Sequence, residues 1–288
     1  MSNFIITTDT GANLSKYFID KYDPQTIKIP VFLNDTPHIE TDSTKTFYQE
    51  MKAGKIATTS QTNVTEICEF FEKFLQQGLD IIHISLSSGI SGLFDNCRAA
   101  IEILCEKYPN QKICVVDSLC ASAGQGAMYI SARKLQEDKK TYAEISTWLE
   151  ANKYNMIHLF TVDSLFYLQR GGRISRTTAV IGAALGVKPL MCVDDAGKLV
   201  LCSKIRGRRR SLDEMIDWTG RLLSDQKPEM IFVAHAACPN DAEYFAKQVK
   251  KRYRCDVYTT EITPVIGAHS GPGTLHIAFW GIARPKAN

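Results

Sequence analysis

Three short apolar runs, each ending near a polar or acidic residue and each followed by a stretch of helical periodicity, limit what this chain can fold into. The runs are Phe4–Asp9, Asp80–Leu86 and Lys112–Asp117. Between the first two, Ile67, Phe70, Phe71, Phe74 and Leu75 recur three or four residues apart, which predicts an amphipathic helix over about 65–77. A Ser/Gly loop after Leu86 leads into a helix through Leu104, and further helices cover about 122–152. Strands that alternate with helices join by crossovers, so they build a parallel sheet. Ile27–Leu33 is one more strand, demoted toward an edge because Pro30 has no N–H to give to a ladder.

The order changes in the second half. Met156–Val162 opens a new cycle, but Val187–Val193 and Lys198–Ile205 flank Asp194-Asp-Ala-Gly197, a hairpin signal. Leu212, Met215, Ile216, Thr219, Leu222 and Leu223 share one helix face. A strand at Met230–Ala236, a helix at Asn240–Arg252 and strands at Cys255–Ile262 and Thr274–Gly281 complete the chain. At 288 residues the chain is long for a single core. The expected fold class is therefore α/β with two α/β domains. Residues 1–152 form an N-terminal domain with a mainly parallel sheet and flanking helices. Residues 153–288 form a C-terminal domain whose mixed sheet contains the antiparallel hairpin.

Composition removes several function classes. No apolar run reaches the roughly 18 residues that span a bilayer, and the first residues carry no basic region or cleavage site. A cytoplasmic location is expected. The nine cysteines form no Cys-x-x-Cys pair and no zinc-ligand spacing; all nine are expected to be free, small and apolar in character. There is no His-Glu-x-x-His, Walker loop or Gly-x-Gly-x-x-Gly, which argues against a metalloprotease, a P-loop nucleotidase and a dinucleotide-binding dehydrogenase. The net charge of +3 does not imply nucleic acid. Charge is nevertheless concentrated at Lys204, Arg206, Arg208, Arg209 and Arg210, and again at Arg170, Arg173 and Arg176.

Four segments combine the residue types that hold an anion. Gly267-Ala-His269-Ser270-Gly-Pro-Gly273-Thr274 sets an imidazole and two hydroxyls among glycines and a proline, where a backbone can approach a ligand closely. Ala57–Thr62 precedes an amphipathic helix; Thr62 or Asn63 suffices to cap it, which leaves Thr59 and Ser60 over. Ser85–Gly92 joins a strand to a helix N-terminus, where free N–H groups favour a negative charge. Gln169-Arg170-Gly-Gly-Arg173-Ile-Ser175 suits a tight loop that aims a guanidinium at a carboxylate or phosphate. Each also has a plain structural explanation as a capped turn or charged loop. His83, His158 and His235 lie inside apolar strands and read as satisfied core residues.

Together, Asp9-Thr10, Thr59-Ser60-Gln61, Ser88-Gly-Ile-Ser91-Gly92, Leu168-Gln-Arg170-Gly-Gly-Arg173-Ile-Ser175, Lys188-Pro189-Leu190 and Gly267-x-His269-x-Gly271-Pro-Gly273, in this order, resemble the DegV family of bacterial fatty-acid-binding proteins. The resemblance covers nearly the whole chain. It implies a protein that is not itself an enzyme and needs no cofactor or metal. It holds one long-chain fatty acid, with the carboxylate in a cleft between the two domains and the tail buried. Some family members are the acyl-binding subunit of a fatty-acid kinase and present the acid to a separate ATP-dependent kinase subunit, giving acyl phosphate for phospholipid synthesis. By position, Thr59, Ser60, Ser91 and His269 match the carboxylate-binding places and Arg170 matches an arginine near them. Arg206 matches an arginine implicated in docking the kinase. Leu93 stands where many members carry threonine, which implies a more apolar pocket mouth.

Two other readings compete. Gly89-Ile-Ser91-Gly92 is close to a nucleophile elbow, so a Ser/His acyl-ester hydrolase is conceivable, although spacing identifies no carboxylate to orient a histidine. The basic 204–210 stretch could serve a nucleic-acid-binding module, although no recognised motif accompanies it.

Overall fold

The computed structural model of the protein describes residues 3–38, 43–177, 186–224 and 227–285. In chain order, strand β1 (Phe4–Asp9) leads to helix α1 (Lys16–Tyr22), the short strands β2 (Thr26–Ile27), β3 (Val31–Leu33) and β4 (Thr36–Pro37), and helix α2 (Thr44–Lys52). Strand β5 (Ala57–Thr59), helix α3 (Val64–Leu75), strand β6 (Asp80–Ser85), helix α4 (Leu93–Lys107) and strand β7 (Ile113–Asp117) follow, then helices α5 (Ser122–Glu137) and α6 (Tyr142–Asn152). The second half contains β8 (Met156–Thr161), α7 (Phe166–Arg170), β9 (Val187–Val193), β10 (Leu199–Arg206) and α8 (Arg208–Leu223). It ends with β11 (Met230–His235), α9 (Pro239–Tyr253), β12 (Asp256–Glu261), α10 (Pro264–Ser270) and β13 (Leu275–Trp280).

Two main sheets organise these elements. The first is parallel throughout, in the order β2-β1-β6-β7. The second is mixed, in the order β10-β9-β8-β13-β11-β12, with β11 and β12 its parallel pair and the β9–β10 hairpin at one edge. The α/β class expected from the sequence is the fold observed. A third, small antiparallel sheet, β4-β3-β5, was not anticipated. The single strand expected at Ile27–Leu33 divides into β2 of the large sheet and β3 of the small one. The break falls at Pro30, whose carbonyl accepts from Ser60 N at 3.1 Å and which cannot extend a ladder.

Helix α5 lies between the two main sheets, packing on β1 and β6 on one side and on β8, β11 and β13 on the other. Ten of its residues are buried. Its sequence, Ser-Ala-Gly-Gln-Gly-Ala, is small because two sheets must approach one helix. A Cβ on Gly126 would lie 2.3 Å from Asn13 O, and one on Gly124 would lie 2.1 Å from the His158 ring. One apolar cluster consequently runs from Phe4, Ile6 and Ile82 through Ala127 and Met128 to Phe232 and Ala278, so the two sheets share a core.

Buried polar groups tie the sheets to this helix. The Asp9 carboxylate accepts from Gly11 N, Leu86 N and Gln125 Nε2 at 2.7–3.0 Å. Asn63 caps α3 by accepting from Glu66 N at 2.9 Å, so neither Thr59 nor Ser60 is used there. Cys192 and Cys202 form a disulfide, which corrects the expectation of nine free thiols. A bulge between Leu201 and Ser203 turns Cys202 to the buried side beside Cys192, and strand register of this kind cannot be read from cysteine spacing. The other seven cysteines are free.

The close approach at Gly126 gives a signed prediction. In an open helix Gly→Ala stabilises by about 0.5–1 kcal/mol, whereas overpacking against fixed backbone costs about 1–3 kcal/mol. Gly126→Ala is expected to be less stable than the wild type in urea denaturation, and a gain in stability would contradict the packing described.

Candidate functional site

A cavity with about 880 Å³ of atom-free space, mouth included, lies where α5, the second main sheet, α10 and the loops after β5 and β6 meet. Most of its wall is apolar, with Ile29, Leu86, Ile90, Phe160, Leu168 and Val265 among the lining side chains. Thr59, Ser60, Gln61, Ser91, Arg173 and His269 line it as well. Ser60 is exposed, so this polar group sits at the mouth.

Each polar side chain is positioned by a different element. Thr59 ends β5, held by pairing with Val31. Ser91 precedes Gly92, the N-cap of α4; its Oγ accepts from Leu93 N at 3.2 Å, leaving its O–H to donate elsewhere. Its neighbours are committed to the fold: Ser87 Oγ donates to Gly197 O at 2.9 Å, and Ser88 bonds Asp117 through both its N–H and its hydroxyl. His269 is in the last turn of α10, not in a glycine turn as its surroundings suggested. The glycines around it serve packing: a Cβ on Gly267 would lie 2.2 Å from Tyr48 Oη, and one on Gly171 would lie 2.3 Å from His269 Nδ1.

The hydrogen bonds define which protons are available. His269 Nε2 lies 2.7 Å from Thr59 Oγ1, and Arg173 Nη1 lies 3.4 Å from His269 Nδ1. Arginine only donates, so Nδ1 accepts, the ring proton sits on Nε2, and Thr59 Oγ1 accepts it. The Thr59 O–H is then free to donate into the cavity. Arg173 is braced by Ile90 O at 3.0 Å and by Gly171 O. Burial, reinforced by the Arg173 and Arg170 charges, pushes the His269 pKa down to about 3, so the imidazole is neutral. The mouth thus offers hydroxyl donors and a guanidinium, with no carboxylate among the lining residues. That set recognises an oxyanion.

Of the residues singled out in the sequence, Thr59, Ser60, Ser91 and His269 are together at the cavity mouth. Arg170 is not among the lining residues; its guanidinium donates to Ala57 O at 3.2 Å and lies over the Phe166 and Tyr167 rings. Arg173 faces the cavity instead. Arg206 is exposed at the end of β10, away from the lining. The basic run around it is not one stripe, because Arg208 pairs with Asp241 at 2.8 Å and approaches Asp163 at 3.9 Å. Leu93 is buried in the N-terminal core and is not at the mouth. His158 and His276, read over or taken as core from the sequence, both line the cavity. Strand alternation is the signal that would have found them: His158 and Phe160 share a face of β8, and Thr274 and His276 follow the same spacing at β13.

The hydrolase reading fails on geometry. A triad needs a carboxylate at the histidine nitrogen remote from the nucleophile; here a guanidinium sits at Nδ1, and Nε2 meets Thr59, not Ser91.

Acid should weaken this fold. His83, His269 and His276 are each held to about 3 by burial, while the unfolded chain protonates histidine near 6.5. Stability is therefore lost as pH falls from about 6.5 toward 3, by up to about 1.4 kcal/mol per pH unit for each such group. Asp9, raised to about 6 by burial, acts in the opposite sense and offsets part of one histidine. Denaturation at pH 7 and pH 5 should give a shallower loss for His269→Gln than for the wild type; identical slopes would mean that His269 is not held neutral.

Comparison with known proteins agrees with this architecture. The family model described as "Uncharacterised protein, DegV family" matches residues 3–281. A DegV domain-containing protein of Clostridium perfringens is 37% identical over 286 residues, covering 98% of each chain. The crystal structure of Bacillus subtilis DegV, described as a fatty acid binding protein, superimposes with a TM-score of 0.84 at 29% identity, over 98% of this chain and 100% of that one. A Thermotoga maritima DegV lipid binding protein gives a TM-score of 0.86 at 22% identity over 99% and 100%. The chain belongs to the DegV family.

Proposed function

We propose that this protein binds one long-chain fatty acid, its carboxylate at the Thr59, Ser60, Ser91 and His269 cluster and its tail along the apolar cavity. The observation that carries this reading is the continuity of a hydroxyl-rich, guanidinium-backed mouth with an apolar interior. The related Bacillus and Thermotoga proteins, described as fatty acid and lipid binding, support it. The tail supplies most of the affinity: about 14 buried methylenes at ~0.8 kcal/mol each give roughly 11 kcal/mol gross, of which association and ordering remove a large share. The head group fixes orientation, because an unpaired carboxylate in an apolar cleft costs several kcal/mol.

The finer part of the proposal is that the protein is a carrier subunit in the cytoplasm that hands its acid to an ATP-dependent kinase. In that transfer a carboxylate oxygen attacks the terminal phosphorus of ATP, ADP leaves, and an acyl phosphate forms. Neutral donors suit this role, since they hold the carboxylate while leaving an oxygen able to attack. Arg206, exposed and remote from the cavity lining, is the proposed docking contact, and Arg170 is proposed to support the head-group end from behind Ala57.

Two experiments test these statements. Native mass spectrometry of the purified protein should find one long-chain acid per chain. Ser91→Ala combined with His269→Ala should weaken retention by at least about 10–100-fold, since the Ser91 hydroxyl alone would supply one charge-assisted hydrogen bond worth about 1.5–3 kcal/mol and His269 orients the Thr59 hydroxyl. Wild-type acyl content in that double variant would refute the site. Arg206→Glu should slow phosphorylation of bound acid by a cognate kinase and leave acid binding intact. An equal fall in binding would move Arg206 into the pocket or the fold.

A further inference from the structure

The turn that carries Ser91 leaves the first sheet but is gripped from the second. Ser87 follows β6 and is fully buried. Its carbonyl accepts from Ile90 N at 3.2 Å and from Ser91 N at 3.1 Å, and its hydroxyl oxygen accepts from Gly89 N at 3.1 Å. Three bonds to one residue thus set the path from Ser87 to Ser91. The hydroxyl proton goes across to the tip of the β9–β10 hairpin, where Gly197 O accepts it at 2.9 Å. The two segments leave no room between them. A Cβ on Gly89 would lie 2.5 Å from Ala196 O, and one on Gly197 would lie 2.1 Å from Ser87 Oγ.

The hairpin tip is itself well held. Asp194 Oδ1 accepts from Ala196 N at 2.9 Å and from Lys198 N at 2.8 Å. Asp194 O accepts from the buried Arg284 guanidinium at 2.7 Å, which also donates to Lys153 O at 2.8 Å. Val193 and Leu199, just before and after the tip, line the cavity. From another direction, Arg173 Nε donates to Ile90 O at 3.0 Å. Closing the turn needs only the bonds inside it. The bond to Gly197 adds a fixed position relative to the second sheet. Single donors that converge on one carboxylate need such fixing, because a hydrogen bond weakens steeply once its geometry is lost and a binding group must be held to within about 0.5 Å.

Resting on the head-group reading above, we infer that Ser87 is a positioning residue, clasped by the hairpin tip at Ala196 and Gly197 so that Ser91 is aimed at the ligand's carboxylate. Ser87 is not among the lining residues and acts only through Ser91.

The test uses delipidated full-length protein and displacement of a fluorescent fatty acid by palmitic acid and by hexadecanol, which has the same chain length and no carboxylate. The quantity read is the preference for the acid over the alcohol. Ser87→Ala should lower that preference about tenfold, the size of one charge-assisted hydrogen bond, and leave hexadecanol binding unchanged, so that the alcohol reports an intact cavity. In a Ser91→Ala background, Ser87→Ala should lower the preference no further, because the two act as one unit. Asp194→Ala, at a half-buried position away from the turn, loosens the tip independently and should also lower the preference. The inference is overturned if Ser87→Ala weakens acid and alcohol equally, if its effect multiplies with that of Ser91→Ala, or if Asp194→Ala keeps the wild-type preference. If the wild type itself does not prefer the acid, or Ser91→Ala does not reduce that preference, the head-group reading fails and takes this inference with it.

Discussion

Helix α5 has to be buried on two sides at once, and most of the molecule follows from that. A helix with a sheet on each face cannot present a polar side to water, so its closest approaches need small residues and its buried polar side chains need anchors inside the fold. Gln125 is anchored through its amide nitrogen. Its amide donates to Thr8 Oγ1, Asp9 Oδ2 and Ile84 O, linking α5 to both central strands of the parallel sheet. Asp9 in turn fixes Leu86 N at 2.7 Å, and Leu86 is part of the cavity wall. The same network that holds α5 between the sheets therefore sets the position of the loop after β6, and with it Ser91. The cavity lies alongside this seam at the start of α5, where Ala121 and Ser122 are among its lining residues.

Much of this was legible in the sequence because it depends on local patterns. Apolar runs and helical spacing gave the parallel sheet, the hairpin and the helices between them, since period and turn chemistry act over a few residues. The small sheet escaped because β3, β4 and β5 are two or three residues long, too short to display alternation. Helix α10 escaped because Gly267 and Gly271 near its end resemble a loop. In fact Gly267 accommodates Tyr48, and Gly271, with φ of 76°, closes the helix as its C-cap. The Cys192–Cys202 disulfide depends on a bulge in the β9–β10 register, which no count of residues between cysteines contains.

At the site, the grouping of Thr59, Ser60, Ser91 and His269 was anticipated by position, but the arrangement that gives those residues direction was not. Arg170 and Arg173 are three residues apart on either side of paired glycines, and sequence alone does not say which guanidinium turns inward. The turn decides it. Gly172 has φ of 75°, Arg173 N returns to Leu168 O at 2.9 Å, and the chain reversal carries Arg173 toward His269 while Arg170 stays on α7 against its aromatic neighbours. Long-range pairing also explains why His276 was passed over: its importance comes from lying beside His158 on adjacent strands, 118 positions away in the chain.

The charge arrangement at the mouth favours an anion without requiring a strong one. Arg173 supplies a positive charge, but its Nε and Nη1 are already engaged by Ile90 and Gly171 carbonyls, so its influence reaches the cavity chiefly through His269. Passing that influence through a neutral imidazole to the Thr59 hydroxyl spreads it over several donors. A direct bidentate Arg–carboxylate pair would grip both oxygens in one plane and would hinder any later reaction at either of them. A row of single hydroxyl donors would satisfy the carboxylate of the proposed ligand while leaving its lone pairs exposed at the mouth, next to the exposed Ser60. If the carboxylate is to be reached by another protein, this weaker and more open seat is the arrangement that lets the tail provide the affinity and the head remain available.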